Sequence, residues 1–199
     1  MSLDSFTLAP WRTPLSRALS HNRSQPFFRY FQLATVTPEG KPANRTVVFR
    51  GFLENSNQIK IVTDLRSEKI TQIQRQSWGE ICWYFTETRE QFRLAGQLTL
   101  VDANYTNEHL RQERKKTWES LSDSARQQFT WSHSGKQRQE NDPAFDSPPP
   151  NVNDPLPHFG LLLLHPIKVD HLELLGNPQN RYLYHLNESG NWRIRAINP

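Results

Sequence analysis

The sequence predicts a mainly β protein, an antiparallel β-barrel with flanking helices, and three observations carry that prediction. Segments with β-branched centres follow one another through short turns, as a meander rather than an alternation of strands and helices. Helical patterning is confined to a stretch near the N-terminus, one after residue 66, and one between residues 106 and 129. Gly96 interrupts a long strand-like run where a barrel strand must bend.

The stretch TPLSRALSHN, residues 13–22, reads as a short helix with Pro14 near its first turn and Leu15, Ala18 and Leu19 on one face. RYFQLATVT, residues 29–37, reads as a strand. The turn PEGKP leads to a second strand, ANRTVVFRGF, residues 43–52, and the turn ENSN to a third, QIKIVT. IVTDLRSEKI then runs from strand into a helix over residues 67–76, with Ser67 as candidate N-cap and Ile70 and Ile73 on the apolar stripe. Lys69 is out of place there, because a helix start carries about half a positive charge and a cation costs on the order of 0.3–1 kcal/mol unless something compensates. Asp64 and Glu68 are one compensator. The other is a bound phosphate, held by free backbone N–H groups, the Ser67 hydroxyl and the Arg66 and Lys69 cations.

EICWYFTET, residues 80–88, and EQFRLAGQLTLVDA, residues 90–103, read as a hairpin joined near Arg89. Residues 106–129 read as a polar helical segment anchored by Leu110, Trp118 and Leu121. Residues 132–157 hold six of the chain's 14 prolines and almost no aliphatic side chains, which predicts a long surface loop. Closing strands are expected over residues 158–175, 180–187 and 191–199, the last two linked by the turn ESG. No internal repeat is present, and residues 1–199 read as one domain.

Only 35% of the 199 residues are hydrophobic, so the domain must carry long polar excursions or complete its apolar surface with a second subunit. The net charge of +4 is spread along the chain, which favours a small anionic ligand over an extended nucleic acid. A single cysteine, Cys82, excludes a disulfide framework and a cysteine-based zinc site, and points to a reducing compartment. The start MSLDSFTLAP lacks the basic and apolar regions of a signal peptide, and no apolar run approaches the ~20 residues of a membrane span. A soluble, cytoplasmic protein is expected.

The seven histidines, at positions 21, 109, 133, 158, 165, 171 and 185, show no spacing typical of close metal ligands, so no metal is expected. Nucleotide loops of the P-loop and GxGxxG kinds and a GxSxG elbow are absent. What remains is a set of polar groups at strand ends: Arg45, Arg50, Thr63, Ser67, Lys69 and Gln91. Together they suit a phosphorylated planar heterocycle, which wants cations for its phosphate, strand-edge amides and a side-chain amide for its ring.

The ordered blocks NRTVVFRGF, VTDLRSEK, REQFRLAG, PLPHFG and NRYLYHLNESGNWRIRAINP resemble the FMN-binding split-barrel proteins related to pyridoxamine 5'-phosphate oxidase. The resemblance runs from about residue 28 to 199 and includes the spacing of Trp192 and Pro199. It implies an FMN-binding split β-barrel of antiparallel Greek-key type, acting as a homodimer with FMN at the subunit interface and a small-molecule substrate. Residue by residue, it implies Arg45 toward the phosphate; Thr46 and Arg50 along the flavin, with the backbone of Val47, Val48 and Phe49 along its ring; and Val62 and Thr63 on the neighbouring strand. It further implies Ser67 and Lys69 in the phosphate turn, Gln91 at the ring, and Arg181 at the flavin. Arg181 and part of residues 131–137 would come from the second subunit, and Arg50 is the candidate substrate-facing group.

The chain departs from the oxidase at four places. Glu68 stands where an arginine commonly holds phosphate, with Arg66 as its candidate replacement; Leu175 replaces a tryptophan; the short loop GNPQN replaces a segment carrying an Arg-x-His pair; and LRQERKKTWESLSDSARQQF, residues 110–129, diverges from a helix that carries other substrate contacts. The function implied is an FMN-dependent oxidoreductase other than the oxidase itself. A flavin, F420-like or haem-like binding module without turnover is one alternative, and a nucleic-acid-binding barrel, suggested by FFRYF, is the other.

Overall fold

The computed structural model describes residues 7–199. Helix α1 (Arg12–His21) is followed by β1 (Tyr30–Val36), β2 (Pro42–Val48), β3 (Ile59–Asp64), α2 (Lys69–Arg75), β4 (Trp78–Phe85) and β5 (Glu90–Val101). Then come α3 (Glu108–Glu119), α4 (Asp123–Gln127), a short 3-10 turn (Pro143–Asp146), β6 (Phe159–Glu173), β7 (Asn180–Leu186) and β8 (Trp192–Ala196). All pairings are antiparallel, in the order β2-β1-β4-β5-β6-β7-β8, with β3 added to the first half of β6. The expected leader-free start falls partly on residues 1–6, outside the described residues.

Strand β6 organises the sheet. Its Phe159–Leu164 half pairs with β3 and its Lys168–Glu173 half with β7, while β5 runs alongside both. The bend required of β5 occurs at Gly96, where the register with β6 shifts, and a Cβ there would lie 1.9 Å from the His165 carbonyl oxygen. Only glycine permits that approach.

β2 and β3 are joined where the Arg50 N–H donates to Lys60 O and the Lys60 N–H donates to Gly51 O, and no ladder pairs the two strands themselves. The barrel is therefore split along this seam.

Alternation of side chains fills the barrel with Phe31, Leu33, Ile59, Ile61, Ile81, Trp83, Phe92, Leu94, Leu162 and Leu164, capped by Trp11 and Leu15. A second core of Trp118, Leu121, Phe129 and Phe159 packs edge to face, with ring centroids 4.9 to 5.7 Å apart for the Trp118 and Phe159 pairs, and seats the polar insertion on the barrel. Arg114 supports this seat by donating to the Phe159 and Leu156 carbonyls at 2.9 and 2.8 Å.

Two local expectations are corrected. The segment over residues 106–129 is two helices: Ser122, extended at φ -67 and ψ 158, interrupts it and caps α4 by accepting from the Ala125 N–H. Ser67 is not an N-cap, because α2 begins one residue later behind Glu68 and the Ser67 hydroxyl instead donates to Asp64 O at 2.6 Å.

The histidine spacing also missed a cluster. His171 and Glu90 meet at 2.7 Å in the interior, with Glu173 beside them. Arg17 of α1, its side chain more than half exposed, lies 3.8 and 3.6 Å from the two carboxylates and brings a positive charge from the helix to this end of the barrel.

Candidate functional site

Along the seam between β2 and β3 lies a cavity of about 1030 Å³, at the upper end of the ~300–1,000 Å³ range of small-molecule sites. One wall is made by Arg45, Thr46, Val47, Val48 and Arg50, and another by Val62, Thr63 and Lys69. The residues after α4, from Phe129 through Trp131 to Gln139 with Asp142 and Phe145, form a strap over it, and Phe28, Arg29 and Tyr30 close one end.

The turn between β3 and α2 gives the cavity its cationic end. Lys69 opens α2 and turns back, its Nζ donating to Ser67 Oγ at 2.8 Å and to Thr63 Oγ1 at 3.2 Å. Burial, and then Arg45, pull its pKa below the ordinary lysine value, with Asp64 opposing. No carboxylate of the described residues pairs with Lys69, Arg45, Arg50 or Arg29.

Arg45 is fixed rather than free. Its guanidinium donates to Thr35 Oγ1 at 2.6 Å and Gln72 Oε1 at 2.9 Å, while Thr35 itself donates to Gln72. Arg50 has a buried Nε with no partner, and burial followed by the nearby Arg29 charge lowers its pKa. A partly buried cation cluster without counter-ions is costly unless an anion occupies it.

The two acids on the wall do not fill that need. Asp64 is already clamped by Arg66, from Nη2 at 2.6 Å and Nε at 2.9 Å, and Asp142 accepts from Ser132 and from the Ala144 N–H. Burial pushes the Asp64 carboxyl up, but the Arg66 hydrogen bonds and charge outweigh it and hold the pKa low.

Arg66 does not line the cavity: its Nε and Nη2 are engaged by Asp64, and Nη2 also donates to the carbonyls of Phe129 and Trp131, at 3.2 and 3.0 Å, which ties down the strap. Glu68 is exposed and does not line the cavity, although its charge still reaches Arg45 and partly offsets the effect of burial there.

Of the residues singled out in the sequence, Arg45, Thr46, Val47, Val48, Arg50, Val62, Thr63 and Lys69 line this one cavity, and Ser67 supports it through Lys69. The Phe49 side chain does not, because it points into the core against Phe52 and Trp83 at 5.1 and 5.0 Å. Gln91 and Arg181 are also elsewhere: they lie on β5 and β7, flanking Leu172 in register. Residues 131–137, implied to reach a second subunit, line the cavity of their own chain.

Beyond residues 131–137, the strap was missed as a wall because it lacks periodicity. The basic run KQR at 136–138 inside the proline-rich stretch was the available signal. The FFRYF aromatics, which suggested nucleic acid, supply Phe28 and Tyr30 at the cavity's end.

No helix of the described residues is long and apolar enough to cross a membrane. A family model described as "Pyridoxamine 5'-phosphate oxidase, FMN-binding domain" matches residues 8–102. The chain is 37% identical over 204 residues to "Pyridoxine/pyridoxamine 5'-phosphate oxidase 2" of Arabidopsis thaliana, covering 96% of this chain and 98% of that protein.

A crystal structure of a pyridoxamine 5'-phosphate oxidase-related, FMN-binding protein from Nostoc punctiforme PCC 73102 matches with TM-score 0.94 and 55% identity, covering 97% of this chain and all of that one. PhzG from Burkholderia lata 383, solved with tetrahydrophenazine-1-carboxylic acid, matches over all of both chains with TM-score 0.76 at 18% identity, a likeness of fold.

The residues present fit FMN: a cationic end with no carboxylate paired to it for a phosphate, an orphaned guanidinium nitrogen, and a cavity of about 1030 Å³ for the ring. The chain belongs to the FMN-binding family of pyridoxamine 5'-phosphate oxidase-related split barrels, whose domain takes FMN as its cofactor.

Proposed function

We propose that the protein is an FMN-dependent oxidoreductase acting on a small molecule, as a homodimer with the flavin at the subunit interface. The observation that carries the reading is Lys69, a half-buried ammonium with hydroxyl partners and no carboxylate, facing the same cavity as Arg45 and Arg50. In this reading Lys69, Ser67 and Thr63 take the phosphate, while Arg45, clamped by Thr35 and Gln72, adds fixed positive charge. The backbone from Thr46 to Arg50 and Val62 borders the ring. Gln91 and Arg181, remote from their own chain's cavity, serve the partner's.

Redox chemistry is supplied by the isoalloxazine when bound. The chain's part is to orient it, exclude water with the strap from Trp131 to Phe145, and present Arg50 to substrate. The lone Cys82, with no disulfide, suits a cytoplasmic location.

Purification tests this directly. The protein should be yellow and release FMN on denaturation, and the bound flavin, once photoreduced without air, should be reoxidised by an added acceptor. A colourless protein that FMN cannot reconstitute overturns the reading. A flavin that resists every donor and acceptor confines it to binding.

A further inference from the structure

Outside the cavity, the outer face of the sheet carries a second charged constellation. Asp170 on β6 accepts from Arg181 Nε at 3.0 Å and Nη2 at 2.8 Å, and from Arg93 Nη2 at 2.5 Å. The three residues come from adjacent strands β5, β6 and β7, and Arg93 faces Asp170 in register. Asp170 is 6% exposed, while both arginines remain substantially open.

Burial pushes the Asp170 carboxyl up, but the Arg181 and Arg93 hydrogen bonds and charges outweigh it, so it stays an anion. Arg181 is engaged along one edge, through Nε and Nη2, and its Nη1 has no hydrogen-bond partner among the described residues. A long side chain has thus been ordered in advance with one donor edge left over.

We propose that Asp170 is a positioning residue that holds Arg181, braced by Arg93, with its free edge presented to the flavin of a second copy of this chain. The inference rests on the reading that Arg181 serves the partner's FMN. The clamp removes the ordering cost that a free arginine would pay on contact. It does so at an electrostatic cost, since it places a carboxylate close to an anionic cofactor. That opposition decides between positioning and plain charge: Asp170→Asn should weaken FMN binding if positioning dominates and tighten it if only charge matters.

The experiment titrates FMN into the apo forms of the wild type, Asp170→Asn, Arg181→Ala and the double variant, with assembly state checked by sedimentation. Asp170→Asn is expected to raise Kd about 3- to 10-fold, the size of ordering one side chain on binding. The double variant should bind no worse than Arg181→Ala alone, and both single variants should shift the visible circular dichroism of saturated flavin in the same sense. If Asp170→Asn does not fold, Asp170→Glu tests the same point, because it keeps the charge but displaces the carboxylate and should also weaken binding.

Unchanged or tighter binding in the Asp170 variant beside weak binding in Arg181→Ala overturns the positioning role. Additive losses in the double variant overturn action through Arg181. If Arg181→Ala binds FMN normally, the assignment of Arg181 to the flavin fails first, and this inference with it.

Discussion

Lys69 Nζ sits 2.8 Å from Ser67 Oγ at the first residue of α2, donating to a hydroxyl where an ammonium would ordinarily seek a carboxylate. The electrostatic misfit visible in the sequence is real in the structure, since Lys69 lies at the positive end of its helix and near Arg45. Replacing it by glutamate should abolish FMN retention through purification. Lys69→Met should weaken binding by roughly 10- to 100-fold, the worth of one charge-assisted hydrogen bond. Fluorescence titration of the apoprotein measures both.

Arg66 links the anion grip to the strap, because one guanidinium holds Asp64 and the carbonyls of Phe129 and Trp131. Arg66→Ala leaves the Asp64 carboxylate partly buried without its partner and should cost about 2–4 kcal/mol. The local effect should be larger than the global one. Limited proteolysis within residues 132–142 should accelerate under native conditions, before any change in the far-ultraviolet spectrum.

Four carboxylates should set the acid limit of stability. Burial pushes Asp64, Glu90, Glu113 and Asp170 up, yet their hydrogen bonds and neighbouring cations win and depress each pKa. A depressed carboxylate contributes stability above its ordinary value, 3.8 for aspartate and 4.5 for glutamate in these groups, and loses it as pH falls through the lower folded value. Contributions from these groups to the urea midpoint should therefore be level from about pH 7 to 5 and fall steeply below about pH 4.

Gly96→Ala should be poorly tolerated. The added carbon meets backbone, the His165 carbonyl at 1.9 Å, which cannot yield without parting β5 from β6. Gly79→Ala is the control, because its nearest obstacle, at 2.6 Å, is the end of the Leu98 side chain. The first should lose at least about 3 kcal/mol or fail to accumulate in soluble form, and the second about 1–2 kcal/mol, read by thermal denaturation.

Much of the barrel was legible because strands announce themselves by alternation and turns by glycine, proline and asparagine. Gly96 could be read for the same reason: a glycine inside a long strand pattern has few other uses. The break between α3 and α4 could not, since a serine cap and a mid-helix serine look alike until backbone geometry separates them.

The site was legible in part. Residues of β2, β3 and the turn after it came together because they are neighbours across one seam. For Phe49 only the backbone is offered to the seam, because alternation sends its side chain to the core. The tie from Arg66 to the strap could not be read, because its partners Phe129 and Trp131 lie more than sixty residues away in the sequence.

Strand β6 has a consequence for how the molecule can change over time. Its early half holds β3, which supplies Val62 and Thr63 to the cavity, and its later half carries Asp170 on the outer face. The spacing between the two is therefore counted out along one peptide, as on a ruler, instead of being negotiated between elements. Loops elsewhere can lengthen freely, but a residue gained or lost between Gly160 and Asp170, unless taken up in the irregularity at Ile167, would exchange the inward and outward sets beyond it. The Asp170 carboxylate would then turn into the barrel and the Arg93 and Arg181 side chains would lose their shared anchor.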